Sequence, residues 1–246
     1  MGKNGPDFYD QPSVFGWYQA KRSRPGNAND TIEKPLFDDL AGNLHGLRIL
    51  DLGCGDAGFG KEALRKGAGA YIGIEASHNM FEAAQSNLAE TKGTVIHAKV
   101  EDWHYLAQQF DLAVSRLVLH YIKDAFDVFI KVYHSLVPGG RFVFSIEHPV
   151  ITSCNRARPA DTIRQDWIVD DYFETGRRVV SWMGDEVIKY HRTVEDYFSA
   201  LLAAGFNIAE LRESRPRREL FADEDAYRRR LRIPLMLFLA ARRPPG

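Results

Sequence analysis

The sequence predicts an α/β protein of the doubly wound, Rossmann-like type, and three observations carry that prediction. Short apolar runs alternate with helical stretches between residues 47 and 147, the pattern of parallel strands with helices on both faces. A glycine-rich turn, Asp51-Leu52-Gly53-Cys54-Gly55-Asp56-Ala57-Gly58-Phe59-Gly60, joins the first run to a helix. Glu75 closes the next apolar run, 22 residues beyond Gly53.

Residues 1–30 are polar with scattered aromatics and read as an N-terminal arm with one short helix. A helix follows from Thr31 to about Asn43, capped by Asp30 or Thr31, with Pro35 in its first turn or so. LRILDL (47–52) is a buried strand, and a helix runs from the glycine turn to about Lys66. AYIGIE (70–75) is the second strand, after which Ser77 caps a helix to about Ala89. TVIHA (94–98) and FDLAVS (110–115) are the third and fourth strands. A helix over 124–136 ends at Pro138-Gly139-Gly140, and RFVFSIE (141–147) is the fifth strand.

Residues 149–191 break this rhythm. Pro149 stops the strand, and Glu174-Thr175-Gly176 and Met183-Gly184-Asp185 read as turns between short antiparallel strands. Alternation resumes with a helix from Thr193 to Ala204 and strands at 206–213 and 235–241. The expected organisation is one domain over 1–246, with the arm at 1–30 and a β-rich substrate cap inserted at 149–191.

Composition excludes several classes. Hydrophobic residues at 45% and charged residues at 26% are an ordinary globular mix, not that of a disordered chain. A formal net charge of −1 supplies no global field toward nucleic acid or anionic lipid. No apolar run approaches the roughly 18 residues that span a bilayer, and the N-terminus has no apolar signal core. Cys54 and Cys154 are too few for a disulfide framework or a four-thiolate zinc site, so a reducing cytoplasm is the expected setting. No His, Cys, Asp or Glu grouping has metal-ligand spacing, and no metal is expected.

Three ligands suit a glycine turn with an acid about 20 residues on. A nucleoside triphosphate would use Gly55, Gly60 and Lys61, but Glu62 stands where a metal-binding Ser or Thr is required. A dinucleotide fits the glycine spacing, yet Asp51 and Asp56 place negative charge beside its pyrophosphate. S-adenosylmethionine fits better. It carries no phosphate, its methionine part bears positive charge, and its ribose can bond the acid. A tight turn with no ligand is the plain structural alternative.

The motifs LDLGCGDAGFG, GIEASHNM, FDLAVSRLVLHYIKD and LVPGGRFVFSIEHP together resemble the class I S-adenosylmethionine-dependent methyltransferases, in the group acting mostly on small molecules. The resemblance covers roughly 31–148 and, more weakly, the last two strands. It implies a seven-stranded sheet whose last strand runs antiparallel. It also implies a donor site at Asp51, Gly53, Cys54, Gly55, Glu75, Ala76, Val100, Glu101, Asp102, Ser115 and Arg116, with Glu75 as the ribose acid. One departure is Lys99, which stands where the family often has an adenine-binding acid. The adenine contact then moves to Glu101, Asp102 or the Val100–Glu101 backbone, with Trp103 on the ring face.

Methyl transfer needs alignment above all, and a base only if the nucleophile must lose a proton. His120 and His148 follow the carboxyl ends of the fourth and fifth strands, where ligands bind in such sheets, and are the candidate catalytic residues. The candidate acceptor site adds His191 and the aromatics Tyr9, Trp17, Tyr18, Trp167 and Trp182. Arg22 and Arg24 are candidates for the donor's carboxylate. The arginines of 212–232 are interleaved with Glu213, Glu219, Asp223, Glu224 and Asp225, the pattern of an ion-paired surface. The expected function is methyl transfer to an O or N atom of a small aromatic or heteroaromatic molecule. An RNA or protein acceptor, and NAD(P)-dependent oxidoreduction, are the alternatives.

Overall fold

The computed structural model describes residues 2–22, 26–154, 166–182 and 184–246, without the side chains of Gln19, Lys21 and Arg22. Seven strands form one sheet: β1 (Arg48–Leu52), β2 (Ala70–Glu75), β3 (Thr94–His97), β4 (Phe110–Arg116), β5 (Leu136–Glu147), β8 (Asn207–Glu213) and β9 (Met236–Arg242). β6 (Gly176–Trp182) and β7 (Asp185–His191) form a separate antiparallel hairpin. The sheet order is β3-β2-β1-β4-β5-β9-β8, and only β9 runs against the others. The strand order reverses beside β1, which puts a ligand crevice outside the carboxyl ends of β1 and β4.

Alternation along the strands builds two cores. Phe142, Phe144 and Ile146 face one side with Leu237 and Leu239, against α6 (Ala125–Ser135) and α8 (Val194–Ala203). Val143 and Phe238 face the other side with Ile49, Leu112 and Val114. They meet α3 (Lys34–Ala41), α4 (Gly58–Arg65) and α5 (His78–Leu88). Both faces are therefore covered, as a parallel sheet requires. Two of these helices start where polar side chains satisfy free amides. Ser77 accepts from the Met80 amide at α5, and Thr193 and Asp196 form a capping box at α8.

Several boundaries differ from the expectation. The chain enters α3 through a π-helical turn over Asn29–Glu33. β5 begins at Leu136, before Pro138-Gly139-Gly140, because Leu136 already pairs with Phe110. The register then shifts between Phe110 and Leu112, so the Pro-Gly-Gly segment is a bulge inside the strand and not a helix stop ahead of it.

The arm holds two helices where one was expected, α1 (Gly5–Tyr9) and α2 (Pro12–Arg22). Phe8 and Val14 bury themselves with Val187 of β7, packed by Tyr9, Tyr121 and Trp182. The backbone of Lys3 pairs alongside β7, donating to Glu186 O and accepting from the Ile188 amide at 3.1 and 2.7 Å. Arm and hairpin thus form one apolar layer. Among the described residues no helix is long and apolar enough to cross a membrane, and no His, Cys, Asp or Glu group could hold a metal.

Candidate active site

Where β1 turns into α4, Gly53 has φ +70°, and a Cβ there would lie 2.4 Å from Val118 Cγ2. No other residue fits that corner. Gly55 has φ +57° and would meet nothing within 4 Å, so the turn borders open space. The Gly53 and Cys54 amides both donate to Ile74 O. The Cys54 side chain lies against Gly73, where an added Cβ would be 2.6 Å from Sγ.

Glu75 ends β2 beside this turn. Its carboxylate accepts from the Gly55 amide and the Ser77 amide, both at 2.8 Å. Burial raises its pKa while those backbone donors oppose the shift. The acid therefore stitches the two loops together and holds an oriented carboxylate at the carboxyl edge. Ala76, next in the chain, accepts from His97 Nε2 at 3.1 Å.

Asp51 is buried at the end of β1. Tyr71 Oη donates to its Oδ2 at 2.7 Å, while Oδ1 is buried without a hydrogen-bond partner. Burial pushes its carboxyl up to about 7, with Tyr71 and the charge of Arg116 pulling the other way. A buried acceptor atom without a donor, beside an open glycine turn, suits a ligand that brings a positive hydrogen-bond donor. The ammonium of S-adenosylmethionine fits this better than a pyrophosphate does.

After β3, Val100 is buried, Glu101 is half-buried and Asp102 is exposed. Val100 O accepts from Tyr105 Oη and Glu101 O from Lys131 Nζ, which shapes this loop through its backbone. Trp103 packs on Tyr105 and Phe110, its ring centroids 4.7 and 6.4 Å from theirs. Ser115 donates to Leu52 O at 3.1 Å and so ties β4 to β1. Arg116 is engaged within the fold. Its guanidinium forms a two-pronged ion pair with buried Glu33 and lies over the Phe37 and Phe59 rings. Arg24 lies outside the described residues, as does the side chain of Arg22.

The histidines need correction. His148 Nδ1 accepts from the Val150 amide at 3.2 Å, and Nε2 lies 3.0 Å from Glu213 Oε1. An Nδ1 that accepts leaves the proton on Nε2 for Glu213, so His148 caps the short helix α7 (Pro149–Thr152) with no free lone pair. His191 is fully buried, with Nδ1 2.8 Å from Thr152 Oγ1 and Nε2 2.9 Å from Tyr172 O. Both are struts, and neither offers a ring nitrogen to an acceptor. His120 is buried, and its Nδ1 accepts from the Glu147 amide at 3.4 Å. Burial drives its pKa down to about 3, so it is neutral and carries its proton on Nε2. It can donate a hydrogen bond but cannot take a proton at neutral pH.

Burial lowers the folded pKa of His120, His148 and His191 below the usual histidine value of about 6.5. Below that value the unfolded chain binds protons that the folded chain refuses. Their contribution to stability is therefore present above about pH 6.5 and lost as pH falls toward their folded values. Urea midpoints measured at pH 7.5 and 5.0 should show lower stability at pH 5.0, and His120→Gln should reduce the difference. A pH-independent midpoint would contradict this burial.

The aromatics divide. Tyr9 Oη lies 3.4 Å from Tyr121 Oη, and its ring meets that of Tyr18 edge-on at 5.4 Å. Trp182 covers Lys189, whose Nζ lies 5.0 Å from its ring centre and 5.5 Å from that of Tyr121. Trp17 is 46% exposed, and Trp167 packs under Arg232, away from this cluster. Residues 155–165 of the expected cap, and Met183, lie outside the described residues.

Two buried or part-buried polar residues near this site carried no expectation from the sequence, Lys189 and Asp10. Lys189 is buried and bonds Glu147 Oε1 at 2.6 Å. Asp10 accepts from Ser77 Oγ at 2.7 Å and from the Asn79 amide at 3.1 Å, which pins the arm to the start of α5 beside Glu75. Burial opposes the Asp10 charge, but these donors hold its pKa below the usual value. Asp10→Ala should loosen the arm by about 0.5–2 kcal/mol, the usual value of a lost cap. Hydrogen exchange should then quicken in residues 5–18 and not in the sheet. Unchanged protection there would show that the apolar layer alone holds the arm.

The comparisons agree with this geometry. The model of the methyltransferase domain matches residues 50–144. An uncharacterized protein of Haemophilus influenzae is 30% identical over 250 residues, covering 96% of each chain. A trans-aconitate 2-methyltransferase of Rhizobium leguminosarum is 30% identical over 138 residues, 56% of this chain and 49% of that protein. The crystal structure of an S-adenosylmethionine-dependent methyltransferase from Mesorhizobium loti has a TM-score of 0.79 at 35% identity, covering 86% of this chain and 97% of that one. A likeness that spans nearly the whole of that enzyme, at 35% identity and together with the methyltransferase-domain match, means that the chain belongs to the class I S-adenosylmethionine-dependent methyltransferases, with S-adenosylmethionine as its methyl donor.

Proposed function

We propose that this protein methylates an O or N atom of a small molecule held at the carboxyl ends of β4 and β5, beneath the layer that the arm and the β6–β7 hairpin form. Glu75 would bond the donor's ribose hydroxyls, the Gly53–Gly55 turn would take its sugar, and Asp51 its ammonium. The donor supplies an electrophilic methyl on sulfur; the protein has to align a nucleophile with it.

The observation that carries the acceptor reading is the buried polar cluster at the carboxyl ends of β4 and β5. Tyr9 from the arm, Tyr121 after β4, Glu147 at the end of β5 and Lys189 from the hairpin meet there under the apolar layer. Enclosure by aromatic side chains with a few oriented polar groups is the character of a small-molecule site. The arm and residues 149–191 then serve as its lid.

An RNA acceptor needs unpaired positive surface. Five arginines near the C-terminus are instead paired: Arg212 with Glu210, Arg217 with Asp39, Arg218 and Arg228 with Glu224, and Arg232 with Asp166. The test is transfer of tritiated methyl from S-adenosylmethionine to a panel of phenols, carboxylic acids including trans-aconitate, amines and total tRNA, all in cytoplasmic buffer conditions. Label is expected in a small molecule. Label in tRNA alone would overturn the acceptor class while leaving the donor assignment standing.

A further inference from the structure

Glu147 is the last residue of β5, three strands from Glu75 along the sheet, or about 14 Å at the usual strand spacing. That interval is the one a donor lying from β2 toward β4 and its acceptor would fill. Two other groups hold Glu147 in place. Its own amide donates to His120 Nδ1 at 3.4 Å, and its Oε1 accepts from Lys189 Nζ at 2.6 Å. The pair is asymmetric in exposure. The Lys189 side chain is 2% accessible and that of Glu147 is 21% accessible. The carboxylate is therefore the more accessible member of the pair, and the ammonium lies beneath it beside the Trp182 and Tyr121 rings.

Resting on the acceptor reading above, we propose that Glu147 is the catalytic base for the acceptor, and that Lys189 and His120 are its positioning residues. The acceptor is thus a compound whose O–H or N–H must be broken during transfer. That bond breaks with its proton passing to the Glu147 carboxylate. The electron pair left on O or N forms the bond to the methyl carbon. The methyl–sulfur bond breaks with its pair remaining on sulfur as a neutral thioether. A buried, aligned carboxylate can accept the proton only at hydrogen-bond distance, about 2.6–3.2 Å. His120, neutral and with its accepting nitrogen already used, is the group that keeps the strand end still.

Lys189 Nζ beneath Glu147 sets a cationic hydrogen-bond donor 2.6 Å from its carboxylate. Among the described residues, the titratable or charged groups that act on Glu147 or its neighbours include Tyr9 from the arm, His120 and Tyr121 after β4, Tyr197 of α8, and Arg192, whose charge acts on His120. None of the tyrosines is ionised near neutral pH, since burial raises all three. Removing the lysine charge should raise the carboxyl pKa and move the acid limb of the kcat profile to higher pH.

The first arm of the test needs no acceptor: a crystal structure of the full chain with S-adenosylhomocysteine. Reacting atoms about 3–3.5 Å apart and one further hydrogen bond put a Glu147 oxygen within about 8 Å of the sulfur. A carboxylate farther away, or turned from the sulfur, overturns the proposal whether or not an acceptor is known. Absence of bound S-adenosylhomocysteine would instead overturn the donor assignment, and label found only in tRNA the small-molecule reading. With a compound from the panel that turns over, Glu147→Gln should lower kcat about 10²- to 10⁴-fold with S-adenosylhomocysteine affinity within twofold of wild type. Lys189→Met should retain turnover at high pH and lose it at a higher pH than wild type as pH falls. Retention of kcat within threefold by Glu147→Gln, in a folded variant, overturns the proposal.

Discussion

Replacing Glu75 by Gln should raise the dissociation constant of S-adenosylhomocysteine by roughly 10- to 150-fold. The carboxylate takes two backbone amides, Gly55 and Ser77, at 2.8 Å each. A glutamine has one oxygen and one NH2 at that end. It turns a donor toward one of those amides and removes the charge that a ribose hydroxyl would meet. A hydrogen bond to a charged group contributes about 1.5–3 kcal/mol, which is the stated range in affinity. Calorimetric titration of wild type and variant measures it directly. Unchanged affinity in a folded Glu75→Gln variant would place the ribose elsewhere.

The largest effect on stability should come from Arg116→Met. Glu33 is 1% exposed and accepts from Ser145 Oγ at 2.8 Å as well as from the Arg116 guanidinium. Removing the arginine leaves a buried carboxylate facing one hydroxyl and two aromatic rings. Such a loss costs about 3–5 kcal/mol, enough to lower Tm on the order of 10 °C in a chain of this size. Replacing both partners together, as Glu33→Leu with Arg116→Met, should recover much of that loss, because the penalty belongs to the stranded charge. Thermal unfolding of the three variants checks this. An Arg116→Met protein of wild-type stability with impaired donor binding would return Arg116 to the donor site, where the sequence reading had put it.

The same pair shows what can be read from one dimension. Strand positions follow from local alternation: Phe142, Val143 and Phe144 point to opposite cores because side chains alternate along a strand. The glycine turn and Glu75 lie 22 residues apart and read as a unit. Arg116 and Glu33, by contrast, are separated by 83 residues, and Asp10 and Ser77 by 67. No periodicity links such partners. His120 and His148 were correctly placed at strand ends, but Nδ1 of each ring is taken by a backbone amide that only the fold brings near.

Lys189 is the instructive omission. A lysine in a polar-looking stretch reads as solvent-facing, and its partner Glu147 lies 42 residues earlier. Yet the hairpin pattern carried a signal. In β7, Val187, Lys189 and His191 share one face by simple alternation, and all three are buried. A charged residue on the apolar face of an amphipathic strand marks a paired or ligand-facing group. The Pro-Gly-Gly segment misled for the opposite reason. It read as a terminator, but the pairing of Leu136 with Phe110 ahead of it carries the strand through as a bulge.

The central claim is that the crevice between the glycine turn and Glu75 takes S-adenosylmethionine and not a dinucleotide. Calorimetric titration of the wild-type protein with S-adenosylhomocysteine and, separately, with NADH tests it most directly. The account predicts one saturable site for S-adenosylhomocysteine that Glu75→Gln weakens, and no binding of NADH. Saturable NADH binding with none of S-adenosylhomocysteine would contradict it.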